Sequence, residues 1–194
     1  MKQELKETIQ ADIFRNLGCE LSTGQIIKKF LFEESRPWKF IVMFRLAHEY
    51  DAKKGIIGKI IKKLYNYFAF KYGYEIAPRT QIGKGFRLPH RGGIIVIHAN
   101  AVIGEQCEIM QGVTIGNNIM KSRNAVAVIG NGVTLCAGAK VIGDVRIGDN
   151  VMIGANSVVT KDIPANSIAA GMTARVIKAN VTPPIVYDLK NISK

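Results

Sequence analysis

The stretch VIGNGVTLCAGAKVIGDVRIGDNVMIGANSVV, residues 128–159, decides the architecture. In it Ile129, Leu135, Val141, Ile147, Ile153 and Val159 return at every sixth position. A period of six is neither the 3.6 of a helix nor the simple alternation of a strand. It fits a flat-sided coil in which each side is a short strand and a turn, and three sides close one turn of about eighteen residues. The aliphatic residue points inward and stacks on its equivalents in neighbouring coils. Four residues further on, Val133, Ala139, Val145 and Val151 share that interior. A β-sandwich would space its strands irregularly, so the fixed step argues for a solenoid of six-residue repeats.

The same step continues upstream through Ile97, Ile103, Ile109 and Ile115, and before them Ile76, Ile82 and Leu88. Phe86, Ala101, Cys107 and Val113 hold the fourth position after. These thirteen inward positions predict roughly four to five coils. Glycine follows the aliphatic residue at Gly83, Gly104, Gly116, Gly130, Gly148 and Gly154, read as corners that want backbone freedom. Two irregularities break the step. Leu88 to Ile97 is nine residues, three too many, and the excess reads PHRGGI at 89–94. Ile115 to Ile129 is fourteen, two more than a doubled step, and the insertion reads NNIMKSRNAV at 117–126. Insertions in a solenoid become loops, often on the binding face.

The ends differ in character. Residues 1–72 carry helical apolar spacing and form a helical cap region, 73–163 the β-helix, and 164–194 a tail packing on it. Ser22-Thr23 offers a helix cap, Ser35-Arg36-Pro37 a break, and Gly55–Gly58 another. The formal net charge is +12, and Lys28–Lys71 holds much of the excess. Such a balance suits an anionic partner. No zinc-finger spacing or RNA-binding run is present, so nucleic acid is not expected. The helix KIIKKLYNYFAFKYG, residues 59–73, mixes basic and apolar faces. It suits either a cap over the first coil or peripheral contact with an anionic membrane, and the two are compatible. Cys19, Cys107 and Cys136 are too few and too spread for a disulfide framework. With neither a signal peptide nor an eighteen-residue apolar run, the expectation is a cytoplasmic protein, peripheral at most to the inner face of the membrane.

Three phrases carry a family resemblance. GVTIGNN (Gly112–Asn118) resembles GVTLGG, CAGAKVIGDVRIGDN (Cys136–Asn150) resembles a GAGAKILG repeat, and GANSVVTKDIPANSIAAGMTARVI (Gly154–Ile177) resembles a closing segment ending in AAGVPARIV. Over about Tyr74 to Lys178 the chain resembles the hexapeptide-repeat acyltransferases, within them the serine acetyltransferase type. That implies a left-handed parallel β-helix, a homotrimer, acetyl-CoA as co-substrate, and an active site between neighbouring coils. It implies transfer of acetyl to a hydroxyl, with no metal.

The resemblance places the catalytic base at His90 in RLPHRGG, and its carboxylate partner at Glu75, where the family has Asp. A hydroxyl is a poor nucleophile until a base takes its proton, and a carboxylate can hold the imidazole tautomer. Gly92 and Gly93 would let backbone approach the substrates. His98, after an inward aliphatic residue, is the reserve candidate, and His48 reads as a capping or surface residue. Donor binding maps to Ala137, Gly138, Ala139, Ala155, Asn156 and Ser157, with Gly171, Thr173, Ala174, Arg175 and Lys178 in the tail. Arg175 or Lys178 would meet the phosphates.

The departures bear on the acceptor. The residue before the family histidine is acidic, but here it is Pro89. The family's D-R-H-P phrase is replaced by Asn124, Ala125, Val126 and Ala127, and the nearest basic residues, Lys121 and Arg123, are displaced. A zwitterionic amino acid wants both an anion-binding group and an acid. The acceptor is therefore open between L-serine and a small-molecule or saccharide hydroxyl in surface polysaccharide assembly. A non-catalytic hexapeptide-repeat scaffold is the rival class.

Overall fold

The computed structural model describes residues 3–34, 36–51, 53 and 55–191. Ser35 of the expected break, Lys54 of the basic segment and the terminal residues 1–2 and 192–194 lie outside them. Four helices come first: α1 (Gln3–Leu17), α2 (Thr23–Phe32), α3 (Pro37–Tyr50) and α4 (Ile56–Tyr72). Ser22 and Gln25 close a reciprocal capping box on α2. Pro37 opens α3, where its fixed φ costs nothing. Gly73, at φ 71°, turns the chain out of α4 into the first strand.

The strands then run β1 (Tyr74–Ile76), β2 (Gln81–Ile82), β3 (Ile95–Ile97), β4 (Val102–Ile103), β5 (Glu108–Ile109), β6 (Thr114–Gly116) and β7 (Val128–Ile129). They continue as β8 (Thr134–Leu135), β9 (Lys140–Ile142), β10 (Arg146–Ile147), β11 (Met152–Ile153), β12 (Val158–Val159), β13 (Ser167–Ala170) and β14 (Arg175–Ala179). Three sheets result, ordered β1-β3-β6-β9-β12, β2-β4-β7-β10 and β5-β8-β11-β13-β14. All pairings are parallel except β13 with β14. This is a left-handed β-helix, a three-faced prism with a short helical region ahead of it.

The six-residue step does what its chemistry predicts. All thirteen inward aliphatic residues are buried, and so are the side chains four positions on from Phe86 to Val151. Register measures the insertions. Ile97 pairs with Ile115 and Val141 with Val159, each eighteen residues apart. Ile76 pairs with Ile97 at twenty-one, which adds three residues. Ile115 pairs with Val141 at twenty-six, which adds eight. The gap from Ile115 to Ile129 is thus one step with eight residues inserted, not a doubled step with two. No strand lies between β6 and β7. The loop holds itself in turns through Asn118 O with Ser122 N–H at 2.9 Å and Asn117 Nδ2 with Arg123 O at 2.8 Å.

The glycine reading also needs correction. The left-handed residues sit three positions after the inward one, as at Gly138 and Asn156. The glycine directly after it is there for space. A Cβ on Gly104 would lie 2.6 Å from Asn131 Oδ1 and 2.7 Å from the Gly130 carbonyl carbon in the next coil.

A stack of coils has an open first edge, and side chains from the helices close it. Arg45 pairs with Asp12 at 2.7 Å and donates to Ile82 O at 2.5 Å and Gly83 O at 2.6 Å. Arg15 donates to Gly85 O and Gln106 O, and Asp12 accepts from Phe86 N–H at 2.8 Å. Asn16 donates to Phe86 O and accepts from Leu88 N–H, and the Tyr65 hydroxyl donates to Ile76 O. Phe40, Phe44, Tyr65, Tyr72 and Tyr74 merge the cap and the coils into one core. The far end is closed by Ile163 on Arg146, Gly171 on Val158, and β14 folding back on β13. The tail then runs back along the prism. Ile185 covers Gly132, Leu189 covers Gly85, and Tyr187 covers Gly18 with Arg87 over its ring.

Two measurements check this packing. Gly104→Ala should destabilise the fold by about 1–3 kcal/mol in denaturant melts, because a neighbouring backbone must move. Burial pushes the Cys107 thiol from its ordinary 9 up to about 12. A raised folded-state value keeps its stability below the unfolded value and loses it as pH climbs through the folded one. Between about pH 9 and 12, wild type should therefore lose up to about 1.4 kcal/mol per pH unit more than Cys107→Ala.

Candidate active site

Strand β1 is three residues long, so Tyr74 and Ile76 point inward and Glu75 must point out. Register extends its row across the sheet to Val96, Thr114, Lys140 and Val158. Lys140 Nζ donates to Gly112 O and, at 3.2 Å, to Thr114 Oγ1. Glu75 borders a groove of about 520 Å³ that Arg79, Val96, His98 and Asn117 also line. His98 is half-buried there, its Nδ1 accepting from Asn100 N–H at 3.2 Å.

His90 stands elsewhere, on the loop that leads into β3. Its backbone carbonyl accepts from the Tyr74 hydroxyl at 2.8 Å, and its side chain is exposed. Arg91 beside it pairs with Glu34 at 3.0 Å. Gly93, at φ 83°, leaves no room for a side chain, since a Cβ would lie 2.6 Å from the Gln111 Cβ, whereas Gly92 faces open space. No hydrogen bond joins His90 to Glu75 within the chain, and the groove that holds Glu75 holds His98 instead.

The loop at 89–94 nonetheless heads a column. Below Gly93 is Gln111, and Gln111 O accepts from Gly138 N–H at 2.9 Å. Ala137 O accepts from Asn156 N–H at 2.9 Å, and a Cβ on Gly138 would meet Asn156 Oδ1 at 2.0 Å. Ser157 Oγ accepts from Gly171 N–H at 3.0 Å. So Gly92-Gly93, Gln111-Gly112, Ala137–Ala139, Ala155–Ser157 and Gly171 are successive rungs of one prism edge. Thr173 and Ala174 follow in the tail, Ala174 N–H bonding Val158 O at 2.8 Å. Arg175 begins β14 opposite Ala170, and Lys178 lies further along opposite Ile168, both exposed.

Lys121 and Arg123 are exposed on the second inserted loop, which leaves β6 at the opposite edge of the same sheet. One chain therefore does not bring them to His90. His48 holds Pro78 O at 2.7 Å through Nδ1 and serves the cap. Among the described residues no group of three metal-binding side chains occurs.

Sequence reading missed Tyr74, Gln111 and Lys140. Tyr74 pins the His90 loop from inside the core, and burial raises its hydroxyl pKa. Gln111 Oε1 is buried without a hydrogen-bond partner beneath that loop. Lys140 had a readable signal, a lone cation at an outward position directly after a small-residue corner.

Comparison with known proteins agrees with the fold. The bacterial transferase hexapeptide (six repeats) profile matches residues 127–161, and the hexapeptide repeat of succinyl-transferase profile matches 94–120. The serine acetyltransferase of Staphylococcus xylosus is 35% identical over 162 residues, covering 77% of this chain and 73% of that one. The serine acetyltransferase of Synechococcus elongatus is 37% identical over 138 residues, covering 71% of this chain but only 55% of its own length. Among solved structures, Brucella abortus serine acetyltransferase in complex with coenzyme A superposes with a TM-score of 0.72 and 28% identity, covering 92% of this chain and 68% of that one. Soybean serine acetyltransferase complexed with serine gives 0.74 and 27%, covering 91% and 70%. The chain belongs to the hexapeptide-repeat acyltransferases of the serine acetyltransferase type.

Proposed function

We propose that this chain transfers the acetyl group of acetyl-CoA to an acceptor hydroxyl. The observation that carries the reading is the single prism edge on which the His90 loop stands above the small-residue corners assigned to the donor, with the Gln111–Gly112 rung between. The pantetheine arm would lie along those rungs and take hydrogen bonds from backbone. Arg175 and Lys178 are exposed cations at the end of the column, suited to the phosphates. His90 takes the acceptor proton as the oxygen attacks the thioester carbonyl, backbone N–H groups at Gly92-Gly93 stabilise the oxyanion, and the collapsing intermediate expels the thiolate, which recovers the proton. Glu75, which borders the groove of His98 within one chain, would support the imidazolium only once substrate binding and assembly bring the two together. His90 is exposed and its side chain untethered, so bound substrate would set its orientation, as free-enzyme hydrogen bonds commonly tighten on binding.

A homotrimer completes the site in this reading. The two inserted loops leave opposite edges of one sheet, so Lys121 and Arg123 of one copy would serve the His90 loop of the next. L-serine is the acceptor that overall similarity favours, given that the soybean relative is solved with serine. A sugar hydroxyl in surface polysaccharide assembly is favoured by one feature. Where the family has its Arg and second His, this chain has Ala125 and Val126, the latter buried in the core, and Pro89 replaces the acid. A cytoplasmic enzyme peripheral to the inner membrane face would suit the sugar. Among the described residues no helix is long and apolar enough to cross a membrane.

Coenzyme A release against a panel of L-serine, hexoses, amino sugars and nucleotide-linked sugars tests the reading. Saturable release with one class identifies the acceptor, whereas no release with any acceptor would leave the scaffold class standing. His90→Ala should lower kcat by about 10²–10⁴-fold with trimer and coenzyme A binding intact. Unchanged turnover would remove His90 from catalysis. Glu75→Gln should lower kcat less than His90→Ala does.

A further inference from the structure

Helix α4 buries one side and leaves the other bare. Tyr65, Phe68 and Tyr72 enter the core, with Ile61 packed against it. The opposite face carries Ile56 (76% exposed), Ile60 (56%), Tyr67 and Phe70 (91%), with Leu64 at its margin. Spacing of three and four residues puts these side chains in one stripe about 21 Å long. Lys59, Lys62, Lys63 and Lys71 stand between and beside them, and α4 contains no acidic residue. The Phe30 and Phe68 rings, in edge contact at 5.6 Å, hold α2 alongside. That helix adds Ile27, Leu31 and Phe32 (81% exposed), with Lys28 and Lys29. So large an exposed apolar area marks an interaction surface rather than ordinary exterior.

We infer that this face docks the protein onto an anionic lipid surface, with α4 lying in the headgroup plane. Charge chooses the occupant. Two copies meeting face to face would bring at least six lysines together with no carboxylate on α4 to answer them. An anionic bilayer accepts both the apolar stripe and the lysines, whose stems run along the apolar surface while their ammonium groups reach the phosphates. Tyr67, with its apolar ring and polar tip, suits the boundary. The α2 end of the face lies beside the His90 loop, where Glu34 pairs with Arg91 at 3.0 Å, and the small-residue corners run on down the prism from there. The inference rests on the exposed face alone and stands apart from the assignment of acetyl transfer.

Sedimentation with vesicles of phosphatidylglycerol and phosphatidylcholine at about 3:7 tests it. The 194-residue chain should pellet with these vesicles, not with phosphatidylcholine alone, and should be released as salt rises well above about 0.1 M. The double variant Ile60→Asp/Phe70→Asp should weaken binding at least about tenfold. At about fivefold per lysine, Lys59→Gln/Lys62→Gln/Lys63→Gln should weaken it on the order of 100-fold. Both variants alter exposed side chains, so melting temperature and coenzyme A release in solution should stay at the wild-type level. Wild type remaining in the supernatant with anionic vesicles would overturn the inference. So would a fall in oligomer mass by light scattering in the Ile60→Asp/Phe70→Asp variant without any vesicle binding, which would make the face a contact between copies.

Discussion

A parallel stack of coils ends in unpaired backbone, and the structure depends on how the first of those ends is answered. Each rung satisfies the one below it, but the coil holding β1 and β2 has nothing above it. Unmet carbonyls and amides buried under a cap would each cost as much as a lost hydrogen bond. Arg15, Asn16, Arg45, Asp12 and Tyr65 meet them individually, in a layer where the Asp12–Arg45 pair is itself buried. The helices are thus required by the β-helix, and the paired edge is no longer a template for another chain. With the first coil fixed, each later coil is fixed by the hydrogen bonds of its neighbour.

That rigidity makes a repeated corner useful. Along one edge the side chains are small, because the next coil passes within contact distance and leaves room for little else. The same smallness exposes backbone amides and carbonyls in a regular row, which is what an extended ligand arm can bind without specific side chains. Specificity must then come from the interruptions. The first inserts a histidine at the head of the row, held by Tyr74 from within. The second emerges at the opposite edge, out of reach of the His90 loop of its own chain.

The fold was legible because burial enforces a strict period. Ile129 to Val159 cannot drift without exposing an aliphatic side chain at some coil. Counts that depend on which face a residue occupies were less legible. The fourteen residues from Ile115 to Ile129 read equally as two steps or one until pairing shows β6 and β7 on adjacent faces. The site was legible in part. The small-residue corners proposed for the donor and the His90 loop form one column, which sequence separation of some twenty residues per rung conceals. The pairing of Glu75 with His90 came from resemblance, and within one chain Glu75 shares its groove with His98. Helix α4 was ambiguous because both its sides are apolar, and only packing shows that Tyr65 and Phe68 enter the core while Ile60 and Phe70 do not.

The returning tail has a temporal consequence. Leu189 N–H bonds Gln106 Oε1 at 2.8 Å, and the Tyr187 ring rests on Gly18 at the end of α1. Residues made some 170 positions later therefore complete the setting of α1. On the ribosome the cap and the early coils must wait, with the underside of α1 partly uncovered, until residues 185–189 have left the exit tunnel. The tail and α1 then close as a single clasp, so a cut near residue 185 should be felt most strongly at α1, far away in sequence.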